Sequence, residues 1–232
     1  MLTLKSKNER GETKLDWLDS KHTFSFGNYY DPENRGFREL RVINEDVISP
    51  GGGFLPHSHA NMEIFTYVLD GELEHKDSLG NGSTIRVGDI QIMSAGRGIT
   101  HSEFNHSKTK PVHLLQIWIK PNKQDLSPTY QQHSFSDQER NGKLLLVLSN
   151  DERNGSLKIN QDAKVYVSAL KKNQTVTFEN QQNRHAWIQV TRGTLTLNGK
   201  NIEAGDGLAI SEEYKLIFKT DETAEFLLFD LP

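Results

Sequence analysis

Short runs of apolar or alternating residues recur along the whole chain, and turn-forming residues separate them. Long segments with apolar residues at every third or fourth position, the pattern of a helix, are hard to find. Strand-sized apolar runs bounded by Gly, Asn, Asp and Pro are typical of β-structure instead. The runs predicted to be strands are 64–69, 84–87, 90–93, 112–119, 144–148, 165–170, 187–190, 195–197 and 226–229. The pattern therefore predicts an all-β fold.

Two dipeptides indicate hairpin turns between these runs. Asn81-Gly82 precedes the run 84–87, and Asn198-Gly199 follows the run 195–197. Asn and Gly both adopt the positive φ angles that tight hairpin turns require. We therefore predict a tight turn at each dipeptide.

The same order of features occurs in both halves of the chain. Around Gly71 and Gly88 the order is an apolar run, a Gly-x-Leu segment, a hairpin and a Gly-Asp pair. The same order occurs around Gly193 and Gly205. A unit that is used twice predicts two similar β domains. The polar, turn-rich stretch 121–142 is predicted to connect them. We divide the chain into domains 1–130 and 131–232. The first strand of one domain can pair with the other domain, so this boundary is soft.

Composition narrows the function further. The chain has 27 Lys and Arg against 31 Asp and Glu, so it lacks the basic excess that nucleic-acid binding requires. No apolar run is long enough to span a bilayer, and the amino-terminal residues lack the apolar core of a signal peptide. We therefore expect a cytoplasmic protein with neither nucleic acid nor membrane as partner. With no Cys in the chain, any metal must be held by His and carboxylates.

Two pairs of polar residues carry the candidate chemistry: His57 with His59, and His101 with Glu103. Residues i and i+2 of a strand project from the same face, so each pair can present two ligands side by side. If the two strands are neighbours, three imidazoles and one carboxylate converge, a set that suits a divalent Fe, Mn, Co, Ni, Cu or Zn ion. A lone His-x-His is more often a solvated or structural pair. Strand geometry also leaves Glu63 open as a ligand.

The spacing around these pairs resembles the two cupin motifs. The first motif is matched by Gly51, His57-x-His59, Glu63 and Gly71, with one residue more than usual before the last glycine. The second is matched by Gly88, Ser94-Ala95-Gly96, His101 and Asn105, with an enlarged loop. Two linked motifs outweigh the interpretation of a structural pair.

Further segments resemble one cupin family, the pirins, densely over residues 10–120. They are Trp17-Leu18-Asp19-Ser20, His22-Thr23-Phe24-Ser25-Phe26, Arg41-Val42-Ile43-Asn44-Glu45-Asp46, His57-x-His59 with Met62-Glu63, Tyr67-Val68-Leu69-Asp70-Gly71, and Ala95-Gly96-Arg97-Gly98-Ile99-x-His101-x-Glu103. Beyond residue 120 the resemblance rests on the general plan and on segments 205–210 and 228–232. It implies a bicupin: two tandem jelly-roll-like barrels, each a double-stranded β-helix.

The resemblance also implies the ligands. Pirins bind one divalent transition metal ion with the residues that here are His57, His59, His101 and Glu103. Glu63, a ligand in many other cupins, then becomes either an acceptor that orients a ligand histidine or an ordinary strand carboxylate.

The second half of the chain lacks such a set. Counting the first-half spacings from Gly193 and Gly205 reaches Glu179, Gln181 and Phe218, none of which recreates a ligand pair. We therefore expect a structural carboxy-terminal barrel. The other histidines are interpreted as surface or packing residues: His22, His75, His106, His113, His133 and His185. Of these, His75 follows a strand close to the predicted barrel.

Resemblance to bacterial pirins described as quercetin 2,3-dioxygenases implies an enzyme. Its substrates would be a small aromatic flavonol and dioxygen, and it would open the heterocyclic ring with release of carbon monoxide. Glu103 is the candidate catalytic base for the substrate proton, besides its role as ligand. Phe54, Met93 and Ile99 are candidate walls for a flat ligand, or core residues.

Two other functions stay open. The first alternative is a metal-binding, pirin-like regulatory protein that acts through protein–protein contacts. The second is a cupin isomerase or a storage-like structural protein, and storage would not need an intact ligand set. We expect a monomer, because two barrels in one chain can satisfy each other's exposed faces.

Overall fold

Almost all regular structure in the computed structural model, which describes all 232 residues, is β-strand. The first strands in chain order are β1 (Leu2–Lys5), β2 (Gly11–Leu15), β3 (Leu18–His22), β4 (Leu40–Ile48), β5 (Gly53–His59), β6 (Glu63–Asp70), β7 (Glu72–Asp77), β8 (Gly82–Arg86), β9 (Asp89–Ser94), β10 (Ile99–Asn105), β11 (Val112–Ile119) and β12 (Thr129–Ser134). The all-β prediction is confirmed.

Nine further strands follow β12 along the chain. They are β13 (Leu145–Ser149), β14 (Leu157–Lys158), β15 (Lys164–Lys171), β16 (Thr175–Glu179), β17 (His185–Leu197), β18 (Lys200–Glu203), β19 (Gly207–Ile210), β20 (Lys215–Lys219) and β21 (Thr223–Leu231). Helical structure is limited to α1 (Asp137–Arg140) and two short 3-10 turns, Lys7–Glu9 and Arg153–Gly155. No helix is long and apolar enough to cross a membrane.

The chain forms two compact units. The amino-terminal unit consists of Gly11–Ser134 with Ile159–Gln161, and the carboxy-terminal unit of Met1–Arg10, Phe135–Lys158 and Asp162–Pro232. This division differs from the domains 1–130 and 131–232 expected from sequence. Residues 1–10 join the carboxy-terminal unit because β1 pairs with β19, and residues 131–134 stay with the amino-terminal unit because β12 pairs with β9.

The amino-terminal unit contains two antiparallel sheets. One has the strand order β12-β9-β6-β11-β4-β3-β2, and the other has the order β5-β10-β7-β8. Apolar side chains from both sheets form one buried cluster, which includes Val68 and Leu114 from the larger sheet and Leu73 and Ile85 from the smaller. Burial of this shared apolar surface holds the two sheets together.

The carboxy-terminal unit repeats this strand order. Its larger sheet runs β1-β19-β17-β21-β15-β13-β14, and β16, β20 and β18 continue from it through β17. Strand β17 is one continuous strand, so the separate strands predicted at 187–190 and 195–197 are wrong. Its two ends take the places of β6 and β7, and a bulge between Val190 and Arg192 redirects it from one sheet to the other.

The two predicted hairpin turns have different outcomes. At Asn198-Gly199 both residues have positive φ, 47° and 83°, and the flanking residues pair directly, so the prediction is confirmed. At Asn81-Gly82 it is wrong: the loop between β7 and β8 covers residues 78–81, and its positive φ lies at Gly80. Asn81 serves instead to close this longer loop, because the carbonyl of Asn81 accepts a hydrogen bond from the Asp77 N–H.

Candidate metal centre

Neighbouring strands β5 and β10 carry the two predicted pairs. They pair antiparallel with His101 opposite His57 and Ile99 opposite His59. Between His101 and Glu103 the register shifts, so β5 has one residue more than β10 across this interval. Pro56 lies in the same interval of β5, an edge strand, where a residue without an N–H is tolerated.

Three imidazole rings meet at this pairing. The centroid of His101 lies 4.4 Å from that of His57 and 4.9 Å from that of His59, and the latter two are 4.8 Å apart. One potential ligand nitrogen of each ring lies within 4.8 Å of the others. His57 and His59 are half-buried, whereas His101 is buried.

Hydrogen bonding leaves ring nitrogens of this group unused. The Nδ1–H of His57 donates to the carbonyl of Leu55 at 2.8 Å, which leaves its Nε2 with a lone pair. His101 Nε2 is buried and has no hydrogen-bond partner. An unpartnered buried polar atom is costly, and a divalent ion among three imidazoles would satisfy it. The donor set therefore fits a transition metal ion.

The protonation state of these rings favours metal binding. Burial, with a smaller contribution from the neighbouring His57, lowers the pKa of His59 to about 4. Burial also lowers the pKa of His101 to about 3, with His57, His59 and His75 adding to the effect. Both rings are therefore neutral at pH 7, which is the form that binds metals.

Glu103 lies on the same strand as His101 and belongs to a second group, which shares His101 with the first but does not include His57 or His59. Its carboxylate and the rings of His75 and His101 have potential ligand atoms within 4.8 Å of one another. The side chain is buried, and the Nε2 of Gln116 donates to its Oε2 at 2.7 Å. Burial raises the pKa of Glu103 to about 7, and the negative charge of Asp46 contributes. The carboxyl group can therefore hold or release a proton near neutral pH.

Glu63 is engaged elsewhere. Its carboxylate accepts hydrogen bonds from the Ser94 hydroxyl at 2.6 Å and from the backbone N–H of Asn160 at 3.0 Å. The side chain of Asn160 also lies within 3.4 Å of both its oxygens. Glu63 thus holds the segment Ile159–Gln161 on the amino-terminal unit, and it makes no hydrogen bond to a histidine.

A second histidine–carboxylate pair lies behind His101, on β7. His75 and Asp77 project from the same face of that strand, and both side chains are completely buried. His75 Nδ1 lies 3.5 Å from His101 Nδ1, and His75 Nε2 lies 3.1 Å from Asp77 Oδ2. The sequence signal that marks this pair is the spacing His-x-Asp, the same i, i+2 pattern that marks the two ligand pairs.

Three of the other histidines have ordinary hydrogen-bond partners. His22 contacts Asn44 and Thr13, His113 contacts Glu45, and His185 contacts Ser211. None of these belongs to a group of potential metal ligands.

Aromatic and apolar side chains surround the histidines. Trp118 places its ring at 79° to that of His59, with centroids 4.9 Å apart, and Phe26 packs edge-on against Trp118. Phe54 is half-buried, and its ring lies 6.2 Å from that of His57. Met93 and Ile99 are buried in the cluster that Trp118 joins, so they act as core residues.

The matching strands of the carboxy-terminal unit carry no such group. β16 pairs with β20, with Phe218 opposite Val176 and Leu216 opposite Phe178. The counted positions Glu179 and Gln181 are therefore not the partners of Phe218. Both groups of potential ligands lie in the amino-terminal unit.

Comparison with known proteins places these features in a family. Residues 3–119 match the family described as Pirin, and residues 146–231 match the Quercetinase C-terminal cupin domain. An Escherichia coli K12 relative named quercetin 2,3-dioxygenase is 50% identical over 232 residues, which cover 100% of this chain and 99% of the relative.

Solved structures agree. YhhW from Escherichia coli has a TM-score of 0.96 at 49% identity, covering 100% of this chain and 98% of that chain. A structure described as bacterial pirin YhhW in complex with nickel(II) has a TM-score of 0.95 at 50% identity, covering 100% of this chain and 99% of that chain. The predicted bicupin fold is confirmed, and the chain belongs to the pirin family.

Proposed function

We propose that this protein is a metal-dependent quercetin 2,3-dioxygenase whose ion is held by His57, His59, His101 and Glu103. The observation that carries the proposal is the buried, unpartnered Nε2 of His101 beside two further imidazoles. The name of the Escherichia coli relative supports the reaction, and the nickel(II) complex of a pirin supports a divalent transition metal.

A bound divalent ion would act as a Lewis acid on a chelating flavonol, lowering the pKa of its hydroxyl. The protein's part is to hold three neutral imidazoles in place and to receive the proton. His57 is fixed by its hydrogen bond to Leu55, and His101 is fixed by burial between β5 and β7.

Glu103 is the base in this proposal. Gln116 donates to its Oε2 at 2.7 Å. If Glu103 leaves the ion during turnover, its other oxygen could accept the proton of the flavonol 3-hydroxyl. Without a bound ion, burial raises the pKa of Glu103 to about 7, which suits a group that must accept a proton and release it again at neutral pH once it has left the ion. Ring opening then consumes one dioxygen and releases carbon monoxide.

The aromatic side chains beside the histidines provide the apolar surface for a flat substrate. Trp118 and Phe26 pack edge to face next to His59, and Phe54 lies on the His57 side. Apolar walls with a few convergent polar groups are the usual composition of a small-molecule site.

The test uses protein loaded anaerobically with a single divalent ion, one preparation each for Fe, Ni, Co, Mn, Cu and Zn. Quercetin is added, then oxygen, and loss of both is followed together with carbon monoxide. We expect at least one preparation to turn over with equal amounts of oxygen consumed and carbon monoxide released. If no loaded preparation releases carbon monoxide, the proposed reaction is wrong.

Two variants locate the reaction. His57→Ala combined with His101→Ala should abolish metal binding and turnover. His133→Ala, at an exposed histidine of the same unit, should leave both unchanged. Equal activity in the double variant would place the chemistry elsewhere. The cytoplasmic location and the monomeric state stay predictions.

A further inference from the structure

Asp77, His75 and His101 form a continuous hydrogen-bonded chain in the interior of the amino-terminal unit. His75 lies opposite Glu103 in the β7–β10 pairing and diagonal to His101. Its two ring nitrogens are both engaged, one at 3.1 Å from Asp77 Oδ2 and the other at 3.5 Å from His101 Nδ1. The ring of Tyr130 packs against that of His75, with centroids 4.9 Å apart.

The direction of each hydrogen bond follows from the chemistry of the groups. An ionised carboxylate only accepts, so the Nε2–H of His75 donates to Asp77. A neutral imidazole with its proton on Nε2 has a lone pair on Nδ1, so His75 accepts from the Nδ1–H of His101. His101 then has its lone pair on Nε2, the buried atom without a protein partner, on a ring that packs against those of His57 and His59.

We infer that Asp77 and His75 are positioning residues that fix the tautomer of His101, so that its Nε2 lone pair faces the metal position. This inference rests on the proposed metal site. His101 then has the same tautomer as His57, whose Nδ1–H donates to the carbonyl of Leu55. A partner that accepts the second ring proton of a ligand histidine orients the ring and strengthens it as a ligand.

Asp77 is itself rigidly held. Its Oδ1 accepts from the backbone N–H of Leu79 at 2.9 Å and from that of Asn81 at 3.1 Å. The Asn81 side chain donates to both carboxylate oxygens. Oδ1 thus closes the loop 78–81, whereas Oδ2 faces His75.

This arrangement makes Asp77→Asn an informative variant. The two backbone N–H groups select the amide oxygen at the Oδ1 position, which puts the NH2 group opposite His75. His75 must then accept on Nε2 and donate from Nδ1, so His101 accepts on Nδ1 and carries its proton on Nε2. We expect metal affinity to fall ten- to a hundredfold, the range typical of outer partners of metal ligands.

His75→Gln is the conservative variant. A glutamine can donate from Nε2 to Asp77 and accept on Oε1 from His101, which preserves the polarity of the chain. It should retain affinity better than His75→Leu, which can do neither. Asn81→Ala is the matched control, since it removes a contact of Asp77 without touching His75, and it should change affinity less than threefold.

The experiment has two readouts on the full chain. Long-range 1H–15N NMR of the metal-free protein identifies the protonated nitrogen of His101, which should be Nδ1 in the parent and Nε2 in Asp77→Asn. Competition titration with Ni²⁺ or Co²⁺ against a chelating dye gives the affinities, and circular dichroism checks folding.

The outcomes separate the two proposals. A parent protein that binds neither ion with His57 and His59 overturns the metal site itself. If the parent binds the ion, and Asp77→Asn has the same affinity and the same His101 tautomer as the parent, only the positioning role of Asp77 and His75 is overturned. Direct coordination of the ion by His75, seen in the NMR of a diamagnetic Zn²⁺ complex, would overturn it as well.

Discussion

The two units share one strand order but have different interiors. Where β5 and β10 bring together His57, His59 and His101, the matching β16 and β20 bring together Val176, Phe178 and Phe218. The apolar version shows that this pair of strands needs no polar residue to pack. Packing of this strand pair therefore does not require His57, His59 or His101.

Buried carboxylates differ between the units in the same way. In the carboxy-terminal unit, buried Asp230 is paired with Lys164 and Arg184. In the amino-terminal unit, Asp46 and Glu103 are equally buried, and burial without a Lys or Arg partner raises their pKa values to about 6 and about 7. Paired buried charges are typical of structure, whereas perturbed carboxyl groups in a cluster are typical of functional sites.

The largest expected effect tests the apolar interior. Phe218 is completely buried and stacks on Phe226, with ring centroids 4.8 Å apart. Phe218→Ala should lower the free energy of unfolding of the carboxy-terminal unit by about 3–5 kcal/mol, through lost burial and the cavity left behind. Denaturant unfolding measures it.

The exposed Tyr214 provides the control, and Tyr214→Ala should change stability by less than about 0.5 kcal/mol. Equal effects of the two substitutions would contradict the assignment of Phe218 to the core.

The next effect tests the polar interior through pH. Because the pKa of Glu103 is raised in the folded protein, the folded state keeps a proton that the unfolded chain loses between about pH 4.5 and 7. Ionisation of Glu103 therefore costs stability as the pH rises, on the order of 3 kcal/mol above pH 7. His59 and His101 act in the opposite direction, because their lowered pKa values destabilise the folded state as the pH falls below about 6.5.

Comparison with Glu103→Gln isolates the carboxyl group. In chelator-treated protein, the variant should gain little at pH 5 and progressively more up to pH 8. Unfolding in urea at each pH measures the difference. A constant difference across this range would show that Glu103 does not titrate with a raised pKa.

The smallest effect compares the two predicted turns. Gly199 has a φ of 83°, so Gly199→Ala should destabilise the protein by about 1 kcal/mol. Gly82 has an ordinary φ, and an added Cβ would meet nothing closer than 3.9 Å. Gly82→Ala should therefore be neutral or stabilise by up to about 1 kcal/mol, since it restricts the unfolded chain. Thermal unfolding measures both, and equal losses would contradict the difference in turn geometry.

Local pattern was sufficient to predict most strands, the repeat and the turn at Asn198-Gly199. These depend on residues close in sequence. The turn at Asn81-Gly82 was missed because a dipeptide does not report the length of its loop, which Asp77 closes at both Leu79 and Asn81. The strand placement of β1 depends on pairing with β19 and has no local signal.

In the candidate site, too, local features were predicted and contacts between distant residues were not. Strand spacing predicted that His57 and His59 share a face, and likewise His101 and Glu103. It did not reveal that Glu63 accepts hydrogen bonds from Ser94 and Asn160, because those contacts join distant parts of the chain. The hydrogen-bonded chain from Asp77 through His75 to His101 was missed because His75 was interpreted on its own and not together with the aspartate two residues later.

Pairing of β1 with β19 joins residues near opposite ends of the sequence, Leu2 with Ile210. The carboxy-terminal unit therefore includes contacts between residues about as far apart in sequence as the chain allows, whereas the other unit consists of residues 11–134 and one short segment. During synthesis on the ribosome, residues 11–134 can fold while the first ten residues still wait for β19, which is translated much later. A shortened gene that begins at residue 11 would encode a protein with an unprotected edge at β19, open to pairing with a strand of another molecule.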